Sequence, residues 1–71
     1  MNEEKNKLTG IDLKVLRIRA GLRQWVVAQR AGINPSVLSL LENERRSLTP
    51  ELAERIIAAI EELKDGGAGR D

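Results

Sequence analysis

Seventy-one residues with 41% apolar content, a single aromatic (Trp25) and neither Phe nor Tyr bound the chain to one small domain with an aliphatic core and helical periodicity. With no Cys and no His there is no disulfide, thiolate zinc site or thiol nucleophile and none of the commonest general base, so neither an enzyme nor a bound metal or cofactor is expected. The net charge of +1 is unevenly spread: Ile11 to Leu48 carries seven basic residues against three acidic, and Thr49 to Asp71 three basic against six, which leaves a basic body able to meet an anionic partner.

Met1 to Lys7 is polar and charged and reads as a loose tail rather than a secretory leader, followed by a domain over residues 8–64. No apolar run is long enough to span a bilayer, so a cytoplasmic protein is expected. Thr9 is placed to cap the first helix, with Asp12 as its capping-box partner and Leu8 and Leu13 as a hydrophobic staple. That helix should run from about Gly10 to Ala20 and close at Gly21. Leu13 and Leu16 mark its inner side, while Ile11, Val15 and Ile18 form a second apolar stripe that the last helix or a second subunit is expected to cover.

The second helix should span about Gln24 to Ala31, with Arg23 where a Ser or Thr cap would stand, so its entry is weakly specified. Val27, Ala28 and Ala31 lie on its inner side, and Trp25 and Val26 point away from them. Gly32 suits a left-handed corner. Asn34 then caps a third helix, Pro35 fits its first position, and Ile33 can staple to Leu38. With Leu38 and Leu41 on its inner side, that helix should end near Asn43. Two short helices meeting at one glycine make a helix-turn-helix, and double-stranded DNA becomes the leading partner.

Glu44 to Leu48 reads as a short basic loop, and Thr49-Pro50 as a second cap-and-proline start. Leu52, Ala53, Ile56, Ile57, Ile60 and Leu63 form the apolar face of a fourth helix, with Glu51, Glu54, Glu61 and Glu62 opposite. Gly66-Gly67-Ala68-Gly69 ends it, and residues 65–71 read as a second loose tail.

The order Leu13-x-x-Leu16-Arg17-x-x-Ala20-Gly21-Leu22-x-Gln24-x-x-Val27-Ala28-x-x-Ala31-Gly32-Ile33, followed by Ser36-x-Leu38-Ser39-x-Leu41-Glu42, resembles the lambda-repressor-like helix-turn-helix family, also called the XRE or Cro family. The resemblance covers roughly Leu13 to Ile60. It implies an all-α, compact four- to five-helix DNA-binding domain from a transcription regulator that binds pseudo-palindromic operators as a homodimer. Carried over by position, Gln24 would hydrogen-bond a phosphate and brace base-contacting side chains. Pro35 and Ser36 fall where the recognition helix meets base edges, Leu40 lies one turn further along the same side, and Ser39 joins them. Asn43, Arg45 and Arg46 match positions that grip the phosphate backbone, and Arg17 with Glu42 matches a partly buried ion pair.

The chain departs from the family at several of these positions. Pro35 has no side-chain hydrogen-bonding group, and Leu40 is either a contact to a thymine methyl or a surface leucine facing another protein. Glu44 stands where glycine commonly ends the recognition helix, leaving Asn43 to take the left-handed conformation. One long fourth helix replaces the family's last two. The function expected is therefore a sequence-specific double-stranded DNA-binding regulator, a repressor acting by occupancy with about Pro35 to Asn43 in the major groove. The alternative is a module that docks a protein partner through Trp25, Val26, Val37 and Leu40.

Overall fold

In the computed structural model, which describes residues 8–66, the chain folds into α1 (Gly10–Arg19), α2 (Gln24–Ala31), α3 (Pro35–Glu42) and α4 (Pro50–Gly66), with no strand among those residues. Residues 1–7 and 67–71, which hold the expected N-terminal tail and most of the C-terminal one, lie outside the described residues. Three of the four helix starts are made by the residues that the sequence offers. Thr9 Oγ1 accepts from the Asp12 N–H at 3.2 Å while Asp12 accepts from the Thr9 N–H at 3.0 Å, completing a capping box. Asn34 accepts from the Ser36 N–H at 3.0 Å ahead of Pro35, and Thr49 accepts from the Leu52 N–H at 3.1 Å ahead of Pro50. Each such cap is worth about 1 kcal/mol. Arg23 makes no capping bond, so α2 begins without one.

The first three helices end alike. After α1, the Leu22 N–H returns to the Arg17 carbonyl and the Gly21 N–H to Ile18; after α2, the Ile33 N–H returns to Ala28. After α3, the Arg45 N–H reaches the Leu40 carbonyl at 2.8 Å and the Glu44 N–H reaches Leu41 at 3.1 Å. This is the Schellman pattern, which requires a left-handed residue just past the helix. Gly21 (φ 71) and Gly32 (φ 76) supply it for α1 and α2, and Glu44 (φ 59) supplies it for α3. Asn43, expected to take that role, keeps φ −94. It stands one residue too early: the turn needs its left-handed residue at the position whose N–H reaches Leu41, and that position is Glu44.

Leu13, Val27, Ala28, Ala31, Leu38, Leu41, Ile56, Ala59 and Ile60 form one aliphatic core. α3 packs against α1 and α2, and α4 packs against the same two helices, so α1 and α2 stand between α3 and α4. At the α1–α3 crossing, Gly10 is buried, and a Cβ there would fall 1.6 Å from the Leu41 carbonyl oxygen. Only a glycine lets the start of α1 press this closely on the end of α3.

Leu16, expected on the inner side, is instead exposed. The next inward place on α1 belongs to Arg17, and Leu16 rims a crevice shared with Ala20, Ile57 and Ile60. Ile11, Val15 and Ile18 remain about half exposed, so α4 does not cover that stripe.

Candidate nucleic-acid interface

Glu42, the last residue of α3, is only 3% exposed. A carboxylate in such a place is tolerable only when its oxygens are met by donors. Arg17 supplies a two-pronged contact, Nε to Oε2 at 2.8 Å and Nη2 to Oε1 at 3.0 Å. Gln24 Nε2 adds a third donor to Oε1 at 2.9 Å, and Arg17 Nη1 donates to the Leu22 carbonyl at 2.8 Å. No buried side-chain nitrogen or oxygen is left without a partner among the described residues. The network ties the end of α3 to α1, to the turn after it and to the first residue of α2, and so fixes the angle at which α3 leaves the core.

Gln24 thus braces Glu42 with the amide that the family resemblance assigns to a phosphate. Its place in the buried network was not legible from the chain, because Gln24 and Glu42 meet only when α2 and α3 close on each other.

The opposite side of α3 faces outward. Ser36, Leu40 and Asn43 are exposed and, spaced by four and three residues, fall along one face, with Ser39 half-buried beside them and Pro35 exposed at the helix start. The Ser36 hydroxyl donates to Asn34 Oδ1 at 2.9 Å, so it closes the helix cap. Asn43 Nδ2 donates to Ser39 Oγ at 3.5 Å, the outer limit of a hydrogen bond. Arg45 and Arg46 follow in the loop, both exposed and with no carboxylate paired to them among the described residues. The sequence-predicted residues Ser36, Leu40 and Asn43 therefore share one outward face, and the two arginines continue from its end.

Charge is segregated in the same sense. Glu51, Glu54, Glu61 and Glu62 are exposed on α4, which has no extended contact with α3. Arg30 of α2 is drawn into an exposed pair with Glu62, its Nε 2.6 Å from Oε1, and Lys64 pairs with Glu61 at 3.6 Å. The loop after α3 keeps its arginines outward.

A family model described as a helix-turn-helix domain matches residues 10–62. The chain belongs to that family. In helix-turn-helix terms α2 is the first helix, Gly32 the corner and α3 the second helix, with the buried Glu42 network holding α3 from behind. The match accords with the lambda-repressor-like resemblance and makes this a DNA-binding type of domain. No curated protein and no solved structure matches the chain. Among the described residues no helix is long and apolar enough to cross a membrane.

Proposed function

We propose that this helix-turn-helix protein is a sequence-specific regulator of transcription, a repressor that occupies a pseudo-palindromic operator in the cytoplasm as a homodimer. Its activity in this reading is binding alone. The observation that carries the proposal is the two-sided character of α3: the inner side is locked by Arg17, Gln24 and Glu42, and the outer side is left exposed next to two exposed arginines that pair with no carboxylate among the described residues. A rigidly held, outward-facing helix about two turns long is what the major groove admits, and flanking cations serve the phosphates on either side.

Roles follow from position. Ser36, Leu40 and Pro35 face base edges, with Ser39 at the flank, while Asn43, Arg45 and Arg46 contact the backbone. Gln24 has its second amide hydrogen left to donate to a phosphate while it braces Glu42. The experiment that tests the reading is binding of the purified protein to duplex DNA at several salt concentrations. A groove binder with phosphate contacts weakens steeply as salt rises, whereas salt-independent or absent binding contradicts it.

One observation favours a second reading. Trp25 is 56% exposed and Leu40 is 40% exposed, giving apolar surface that a protein partner would bury. A protein-docking module would show neither sequence selection nor salt dependence on DNA.

A further inference from the structure

The helix that faces outward has almost nothing with which to hydrogen-bond a base. Guanine is read by the paired donors of Arg or Lys on O6 and N7, and adenine by the amide of Asn or Gln on N6 and N7. From Pro35 to Glu42 the sequence Pro-Ser-Val-Leu-Ser-Leu-Leu-Glu contains none of these four residues. Its one charged group, Glu42, is buried and fully engaged by Arg17 and Gln24. Of its two hydroxyls, Ser36 donates its proton to Asn34 and Ser39 is half-buried, accepting from Asn43. The large apolar group exposed on that face is the Leu40 side chain, 40% exposed and between Ser36 and Asn43.

The major groove offers an apolar side chain one matching feature, the C5-methyl group of a pyrimidine, which thymine carries and cytosine lacks unless modified. Resting on the proposal that α3 enters the major groove, we infer that this protein recognises its DNA through pyrimidine C5-methyl groups, with Leu40 as the specificity-determining residue and thymine as the base read. The neighbouring arginines supply the charge complementarity. Arg45 and Arg46, at the end of α3, hold phosphates at one edge of the groove, which helps to fix register, and Leu40 then loses water against a methyl that only some sequences present there. Pro35, exposed at the helix start, adds apolar surface in the same groove without competing for hydrogen bonds. Bound sites are therefore rich in A·T pairs at the positions under Leu40, for a reason that lies in the major groove.

The test uses the duplex recovered by selection from a random library, a copy in which each thymine of the site is replaced in turn by uracil, and copies in which T·A pairs become C·G pairs with either cytosine or 5-methylcytosine. Uracil differs from thymine only by the missing methyl. The expected result is a loss of about fourfold for each methyl removed under Leu40, equivalent to about 0.8 kcal/mol for one methyl-sized group taken from water. In the Leu40→Ala protein, checked for an unchanged melt since the residue is exposed, thymine and uracil duplexes bind equally. Partial recovery with 5-methylcytosine over cytosine shows that the methyl itself is sensed; no recovery, with uracil still penalised, confines recognition to thymine. Equal affinity for thymine and uracil duplexes overturns the inference and leaves the DNA reading intact. Failure to select any duplex overturns the DNA reading itself.

Discussion

Arg17 and Glu42, twenty-five residues apart in sequence, meet through two hydrogen bonds of 2.8 and 3.0 Å at the point where α1 crosses the end of α3. Their side chains are 12% and 2% exposed, so the pair is shielded from water, and its geometry is the planar fork that makes an arginine–carboxylate contact directional. The consequence is structural first: α3 is oriented by charge-assisted bonds at its last turn rather than by packing alone.

Glu42→Ala strands the Arg17 guanidinium beside the core and leaves Gln24 Nε2 without its acceptor. Removing one member of a buried pair costs about 3 to 5 kcal/mol, which in a domain of this size lowers Tm by more than about 10 °C. Replacing both members with apolar residues, Arg17→Met with Glu42→Leu, strands no charge and recovers part of that loss. Thermal melts of the three proteins check this, and a Glu42→Ala melt superimposed on wild type refutes it.

Gly10→Ala improves helix propensity by about 1 kcal/mol and in an isolated helix would stabilise. Here the added Cβ falls 1.6 Å from the Leu41 carbonyl oxygen, and a backbone atom cannot swing aside as a side chain can. Forcing α1 from α3 costs about 1 to 3 kcal/mol or more, so the net effect is a lower Tm in a calorimetric scan. An unchanged or raised Tm would show that the two helices do not approach as described.

Glu44→Gly is expected to stabilise. The left-handed backbone costs a non-glycine residue about 1 to 2 kcal/mol, of which a glycine recovers the larger part after its own entropy cost. Glu44→Ala, which removes the carboxylate but keeps a Cβ, separates the backbone effect from the charge at the helix end. A denaturant titration should place Gly above Ala; Ala equal to Gly would assign the gain to the charge.

Arg45→Ala and Arg46→Ala should each reduce the slope of log affinity against log salt by about 0.9 if each contacts one phosphate. Binding to every duplex should weaken alike, because a phosphate contact carries no sequence information. An unchanged slope removes that arginine from the interface.

The caps at Thr9, Asn34 and Thr49, the corner at Gly32 and the Arg17–Glu42 pair were legible in the chain, because each depends on residue type at short spacing or on a motif that fixes the order of several positions. What was not legible depends on how helices approach one another. Gly10 reads as an ordinary helix start until α3 is laid against it, and Leu16 reads as core until Arg17 is seen to take the inward place on α1. Glu44 defeats residue preference, since the two hydrogen bonds that close the turn select the position whatever residue stands there. On the outward face the positions of Ser36, Leu40 and Asn43 followed from helical spacing, but the bond from Ser36 to Asn34 required the folded cap.

Whether α3 is held outward to read DNA is decided by selection from random duplexes followed by titration of the enriched sequence. Selection should return one enriched motif repeated as an inverted pair, its half-sites about 10 base pairs apart as two recognition helices one helical turn apart require. The protein's affinity for it should fall steeply with salt, and Arg45→Ala/Arg46→Ala should weaken binding and flatten that dependence by about 1.8 in slope. A library that emerges without any enriched sequence, from a protein shown to be folded, would contradict a DNA-reading role for α3.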